Sequence, residues 1–223
     1  MDMSDKSVKA FLSRYHTRKI RHDQTLLYQG EVPPMAYMIK EGVIKTYNIN
    51  SAGESKIITF NMAGEFIPTA WIFGKSPVSL FYYDALTDCE LYAIPKEDLW
   101  KFIHSDQKIL EQALTVYSSL YISATMHIHA LEQSKAGEKL LYTLQHLAMR
   151  FGKPKKEGVV ELTLKLTHQD LASIIGLTRE TIAVELNKLK KQKVVSYRQQ
   201  KYIVHVDKIL QQLGEDEFRN LTI

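Results

Sequence analysis

The chain has 223 residues, 45% hydrophobic and 24% charged, with a formal charge of +4 and a single cysteine. That balance fits one or two folded domains and excludes wholesale disorder, while one cysteine, Cys89, excludes an intrachain disulfide framework and a multi-cysteine zinc or iron–sulfur site. No run of about eighteen apolar residues occurs, and MDMSDKSVKAFLSRYH lacks the basic-then-apolar order of an export signal, so no membrane partner is expected and the cytoplasm is the expected location.

Charge is divided unevenly along the chain. Residues 1–134 hold 13 Lys/Arg against 15 Asp/Glu, whereas residues 135–223 hold 16 against 10. A basic surface confined to the C-terminal part suggests a polyanion partner, because neutralising phosphates releases condensed counterions. A solvated basic face is the ordinary alternative.

From residue 22 to about 94, short β-prone runs (TLLYQ, MAYMIKEG, VIKTYNIN, KIITF, VSLFYYDAL, CELYAI) alternate with turn residues, as in a β-sandwich or barrel. Asn48 to Glu54 reads as a hairpin turn, and Cys89 reads as a small buried strand residue. Pro95 ends this region, and a helical stretch then runs without Gly or Pro to Gly137. Within it Leu110, Leu114, Tyr117, Tyr121, Ala124, Ile128 and Leu131 recur at spacings of four and three, the seam of two helices packed side by side. The stripe either faces the chain's own core or meets a second copy. Ile109, Val116, Leu120 and Ile122 supply further apolar surface, so a helix with two apolar faces, one on the barrel and one in a parallel homodimer, is expected.

A hinge is expected near residue 134, followed by an amphipathic helix, a polar loop over 151–158 and a strand from Val159. Thr167 and Asp170 form a capping-box pattern at a helix start. Ala172 and Gly176, four apart, supply the small residue and the chain reversal of a steep helix crossing, and Ile182 plugs the space between the helices. Thr178 caps a second helix that buries Ile182, Leu186 and Leu189 and leaves Arg179, Glu180, Ala183, Val184 and Asn187 on outward or flanking faces. This is a helix-turn-helix with its second helix as the reader of bases. VVSY and YIVHV, joined by a basic tip, make a wing; Lys188, Lys190, Lys191 and Lys193 lie between reader and wing.

LTHQDLASIIGLTRETIAVELNKLKKQKVVS…KYIVHV resembles the winged helix of the Crp/Fnr transcription regulators, and the order of β-roll, long helix and winged helix extends the resemblance over nearly the whole chain. It implies an α+β fold: a jelly-roll-like β-roll sensor over 1–105, a dimerisation helix and hinge over 106–134, and a winged helix-turn-helix over 135–223. It implies double-stranded DNA and RNA polymerase as partners, a homodimer on a palindromic operator, and no enzymatic role. Arg179 is expected to donate to guanine O6 and N7, and Glu180 to accept from cytosine N4. Ala183 and Val184 complete the base-reading face, while Gln169, Thr178 and Thr181 match positions that hold phosphates. Val184 departs from the second base-reading arginine of the cyclic-AMP and Fnr branches, so an altered preference at one base pair is expected.

Relatives that bind cyclic AMP carry a Gly-Glu turn and an Arg-Ser/Thr pair on the cyclic phosphate. Gly64, Glu65 and Ser79 are present here, with Tyr82 in an aromatic run, and these four form the expected effector pocket. No arginine occurs between residues 22 and 149, and a buried phosphate without a guanidinium is poorly compensated, with Lys75 only a weak substitute, so cyclic AMP is not the expected effector. No cofactor is expected; His104, His127 and His129 read as ordinary helical histidines rather than haem ligands. Phe81, Tyr82 and Tyr83 either line a pocket for another small molecule or belong to strand core. The competing reading is a non-catalytic adaptor that uses its winged helix to bind protein; no Gly-rich phosphate loop, nucleophile elbow or metal-ligand spacing suggests an enzyme.

Overall fold

The structure, a computed structural model, describes residues 1–214. Two compact units, Met1–Leu120 and Tyr121–Ile223, divide the chain within one long helix. Residues 215–223, the end of the expected winged-helix domain, lie outside the described residues.

Regular structure in the first unit begins earlier than the expected start at residue 22. Helix α1 (Lys6–Leu12) is capped by the Asp5 carboxylate, which accepts from Ser7 N, and β1 (Thr17–Ile20) follows. β1 turns only Ile20 inward, so it carries no alternation to read, and its partner β8 lies far along the chain. Next come β2 (Thr25–Leu27), β3 (Ala36–Glu41), β4 (Val43–Ile49), β5 (Ser55–Met62), β6 (Phe66–Ile67), α2 (Thr69–Ile72), β7 (Tyr82–Ala85) and β8 (Cys89–Ile94). They form two antiparallel four-stranded sheets, β1-β8-β3-β6 and β2-β7-β4-β5. Ile39, Cys89 and Leu91 from one sheet meet Ile44, Tyr83 and Ala85 from the other, closing the expected β-roll over an apolar interior.

Local chemistry explains both the turns and one departure from expectation. Asn50 N donates to Glu54 O (3.0 Å) and Gly53 adopts a φ of +79°, completing the hairpin between β4 and β5. Only Tyr82–Ala85 of VSLFYYDAL is extended. Before it, the Ser76 hydroxyl donates to Val78 O and the Ser79 hydroxyl to Phe81 O, both at 2.8 Å, so side chains replace a strand ladder.

Cys89 is 4% exposed, its Sγ lies 3.4 Å from Val43 O, and burial raises its thiol pKa. Gly42 packs on it with a φ of +92°, where an added Cβ would meet Asp88 O at 2.4 Å. The thiol is therefore expected to resist iodoacetamide in the folded protein and to react once guanidinium exposes it; rapid native labelling would contradict this burial.

The helical stretch after Pro95 divides into two helices. α3 (Lys96–Ile103) ends at His104, and α4 (Gln107–Glu132) begins where the Asp106 carboxylate accepts from Lys108 N at 2.7 Å. That competing side-chain bond starts a new helix without Gly or Pro. In the first unit, Ile109 and Ala113 of α4 are buried with Phe11, Phe66, Leu99 and Ile103, and Val116 packs on the same cluster.

The second unit holds the rest of α4, α5 (Ala136–Phe151), β9 (Gly152–Lys156), β10 (Val159–Leu162), α6 (His168–Ile175), α7 (Arg179–Lys191), β11 (Val195–Arg198), β12 (Lys201–His205) and α8 (Val206–Leu213). Its sheet runs β11-β12-β10-β9. The expected loop over 151–158 contains β9, because an edge strand tolerates the proline and lysines of GKPKK that resemble loop composition. Leu140, Leu144 and Leu147 of α5 are fully buried in this unit.

Candidate nucleic-acid interface

Two caps and one glycine position the reader helix. Thr167 Oγ1 accepts from Asp170 N (3.0 Å) while the Asp170 carboxylate accepts from Thr167 N (2.7 Å), the reciprocal bonds that start α6. Gly176 takes the left-handed conformation (φ +74°) and its N–H donates to Ala172 O at 2.8 Å, so α6 ends and the chain reverses. Thr178 Oγ1 then accepts from Thr181 N at 3.2 Å, starting α7. Ile182, Leu186 and Leu189 are buried beneath α7 and Ala172 beneath α6.

With that face inward, the opposite face is open. Arg179, Glu180 and Asn187 are exposed, Ala183 is half-buried and Val184 is 53% exposed. Gln169 and Thr178 are exposed at the starts of their helices; Thr181 is half-buried, its hydroxyl 2.9 Å from that of Thr178. Lys188 pairs with Glu185 at 2.6 Å, and the Lys190 ammonium lies 5.2 Å from the Tyr197 ring.

The wing is a two-residue hairpin whose central residues, Gln199 and Gln200, both have positive φ (52° and 65°), the twist that suits a tight β-hairpin. Gln200 O accepts from Leu166 N, holding the tip near the start of α6. A cleft of about 570 Å³ results, lined by Gln169, Arg179, Tyr197, Gln199 and Gln200 among others. Its polar side chains, a helix start and an exposed arginine are the kinds of group that contact a nucleic-acid backbone beside a groove.

The seven α4 stripe residues divide sharply from their neighbours. Leu110, Leu114, Tyr117, Tyr121, Ile128 and Leu131 rank among the exposed large hydrophobic side chains, and Ala124 is half-buried. Ile109, Ala113, Ser123, His127 and Ala130, on the adjoining stripe one residue out of phase, are buried.

Sequence reading missed how that buried stripe is held in the second unit. Ser123 Oγ lies 2.8 Å from His146 Nε2, and His127 Nε2 donates to Ile174 O at 2.9 Å, so α4 meets α5 and α6 through a buried polar set. The available signal was phase, since 123, 127 and 130 continue the spacing of 109, 113 and 116. Burial, aided by His127 and Arg150, lowers the His146 pKa to about 3 from an ordinary 6.5. The unfolded chain therefore binds the extra proton between these values, and stability, complete above 6.5, is lost as pH falls towards 3. Thermal melts are expected to show the second unit weakening below pH 6.5, by up to about 1.4 kcal/mol per pH unit, with a flatter profile for His146→Gln. Equal pH slopes for both proteins would remove His146 as the cause.

The four expected effector residues occupy separate turns and a strand. Gly64 has a φ of +85° between β5 and β6, and buried Glu65 accepts from Met62 N at 3.0 Å. Ser79 is buried beside Gly30, whose N–H donates to Ser79 O (2.8 Å), and Tyr82 stacks on Tyr47 with ring centroids 5.2 Å apart. Tyr83, by contrast, is strand core. Among the described residues there is no group of three or more His, Cys, Asp or Glu suited to a metal ion, and no helix long and apolar enough to cross a membrane.

A β-roll, a long helix and a winged helix with an open reader face define a sequence-reading transcription regulator. Residues 17–106 match the cyclic nucleotide-binding domain and residues 138–213 the Crp-like helix-turn-helix domain. The chain belongs to the Crp/Fnr family of DNA-binding transcription regulators, and its role is regulatory rather than enzymatic. It is 26% identical to the global nitrogen regulator of Nostoc sp. over 82% of each chain. It is 28% identical to electron transport regulator A of Shewanella oneidensis over 85% of this chain and 74% of that one. The fold is shared with a CooA mutant from Carboxydothermus hydrogenoformans (TM-score 0.76, 19% identity, 98% of this chain and 94% of that one). FixK2 from Bradyrhizobium japonicum also shares it (TM-score 0.72, 18% identity, 89% and 96%).

Proposed function

We propose that this cytoplasmic regulator works as a homodimer on an inverted-repeat operator, placing two copies of α7 in successive major grooves about 34 Å apart. The carrying observation is the exposed heptad stripe on α4: a helix that already buries the adjoining stripe gains by covering this one with a second copy. Arg179 donates two hydrogen bonds to a guanine, Glu180 accepts from a cytosine amino group, and Ala183 and Val184 offer apolar surface to a thymine methyl. Gln169, Thr178 and Thr181 hold phosphates and so fix the register of the helix without reading sequence. RNA polymerase is the further partner through which bound protein acts.

Control by cyclic AMP is not part of this reading. No arginine lies between residues 22 and 149 to meet the cyclic phosphate, Glu65 serves its own turn, and Ser79 is tied to the loop at Gly30. A different small-molecule effector acting on the first unit is the reading retained.

Selection of bound duplexes from a random pool, at a stated near-physiological salt concentration, tests the proposal. An enriched inverted repeat is expected for the purified protein alone or with cell extract, unaltered by cyclic AMP. Recovery of sequences without a shared repeat under either condition would leave the adaptor reading in its place, and enrichment that depends on cyclic AMP would overturn the effector assignment.

A further inference from the structure

Beside α2, the first unit contains a hollow of about 370 Å³, within the roughly 300–1,000 Å³ typical of small-molecule sites. α2 provides Thr69 and Ala70 and the chain just beyond it Phe73, while α4 provides Ala113 and Tyr117. The Phe73 and Tyr117 rings meet edge to face at 6.1 Å. Gly74, with a φ of +67°, then turns the chain so that Lys75 N donates to Ala70 O at 2.8 Å. This bond fixes the Lys75 backbone at the hollow's edge. Its exposed ammonium has no ion-pair partner among the described residues.

We propose that this hollow binds an amphipathic organic acid. The apolar body lies against Phe73, Ala113 and Tyr117, and the carboxylate meets the Lys75 ammonium and the Thr69 hydroxyl. Apolar walls favour an aryl or acyl body over a sugar or a polyphosphate, and one unpaired lysine suits one negative charge. None of Gly64, Glu65, Ser79 or Tyr82 lines the hollow, so this site is separate from the pocket expected from sequence. Its walls join α2 to α4, and Leu110, Leu114 and Tyr117 of the exposed stripe are among its lining, so an occupant lies at the edge of the proposed seam. An occupant therefore braces the helix that carries the stripe, and binding to the braced form shifts the population towards it.

The test is calorimetry of the full chain with sodium 4-phenylbutyrate and with its neutral amide, run beside sedimentation of each protein. Saturable uptake of one acid per chain is expected. Lys75→Ala should weaken the acid at least tenfold and leave the amide unchanged, while Ala70→Trp, which fills the hollow from a half-buried position, should remove both. Absence of saturable acid binding, equal affinity for acid and amide, or binding indifferent to both substitutions would overturn the proposal. Loss of dimers in Ala70→Trp, with no acid binding by the unsubstituted protein, would also overturn it by making the hollow a socket for a second copy. A monomeric unsubstituted protein that still binds the acid would sink the homodimer reading and leave this site standing.

Discussion

Replacing Leu114 and Ile128 together by Asp is expected to yield a folded monomer that no longer binds a full operator. In a single chain these side chains are 60% and 56% exposed, so charge at either position leaves the cores of both units undisturbed. In a two-stranded seam they become buried knobs. Burying a Leu or Ile side chain contributes roughly 1.5–3 kcal/mol, and the double substitution removes four such side chains per dimer. It also sets carboxylates in an apolar seam, where an unpaired charge is costly. Sedimentation at micromolar concentration should show the monomer mass with helical circular dichroism retained. An intact dimer would refute the seam. A misfolded chain would show instead that the stripe supports the chain's own core, contrary to its exposure. Operator affinity should fall to that of an isolated half-site, because the second reader then binds as a separate molecule rather than at the effective concentration of a linked one.

Arg179→Ala is expected to cost about 1–3 kcal/mol in specific binding and to relax the guanine preference at one position of each half-site. The side chain projects from the first turn of α7, is exposed, and lines the cleft between reader and wing, so its removal leaves no cavity in the core. A bidentate contact to guanine O6 and N7 distinguishes that base from the other three, whereas a phosphate contact does not. Titrating selected and single-substituted duplexes by fluorescence anisotropy separates the two outcomes. A loss confined to guanine-bearing duplexes places Arg179 on the base. A uniform loss across all sequences, with a shallower salt dependence, would move it to the backbone and sink the base-reading assignment. Glu180 and Val184 are tested by the same duplex set, the latter through preference for a thymine methyl.

The winged helix was legible in the sequence because its signals are local. Thr167 with Asp170, Gly176 and Thr178 are caps and turns whose bonds span three or four residues, and each forms as its spacing predicts. Ile182, Leu186 and Leu189 share a helical face and are buried together. Less legible were elements that depend on a distant partner. β1 shows a single inward residue and exists by pairing with β8; β9 has the composition of a loop and exists as the edge of a four-stranded sheet. The break between α3 and α4 rests on one carboxylate at Asp106, a signal that apolar periodicity does not contain.

Sequence by itself determined the family, the order of β-roll, long helix and winged helix, and the outward or flanking set Arg179, Glu180, Ala183 and Val184. These follow from residue type at fixed local spacing, which a helix or turn converts directly into geometry. Tertiary structure alone decided how the buried stripe of α4 is held, because Ser123 and His127 carry no apolar signal and are buried only by their bonds to His146 and Ile174. It also placed Glu65, Ser79 and Tyr82 in separate turns and strands and brought α2 beside α4 to form the Lys75 hollow. Such sites arise where elements distant in sequence meet, and no spacing along the chain encodes the distance between them.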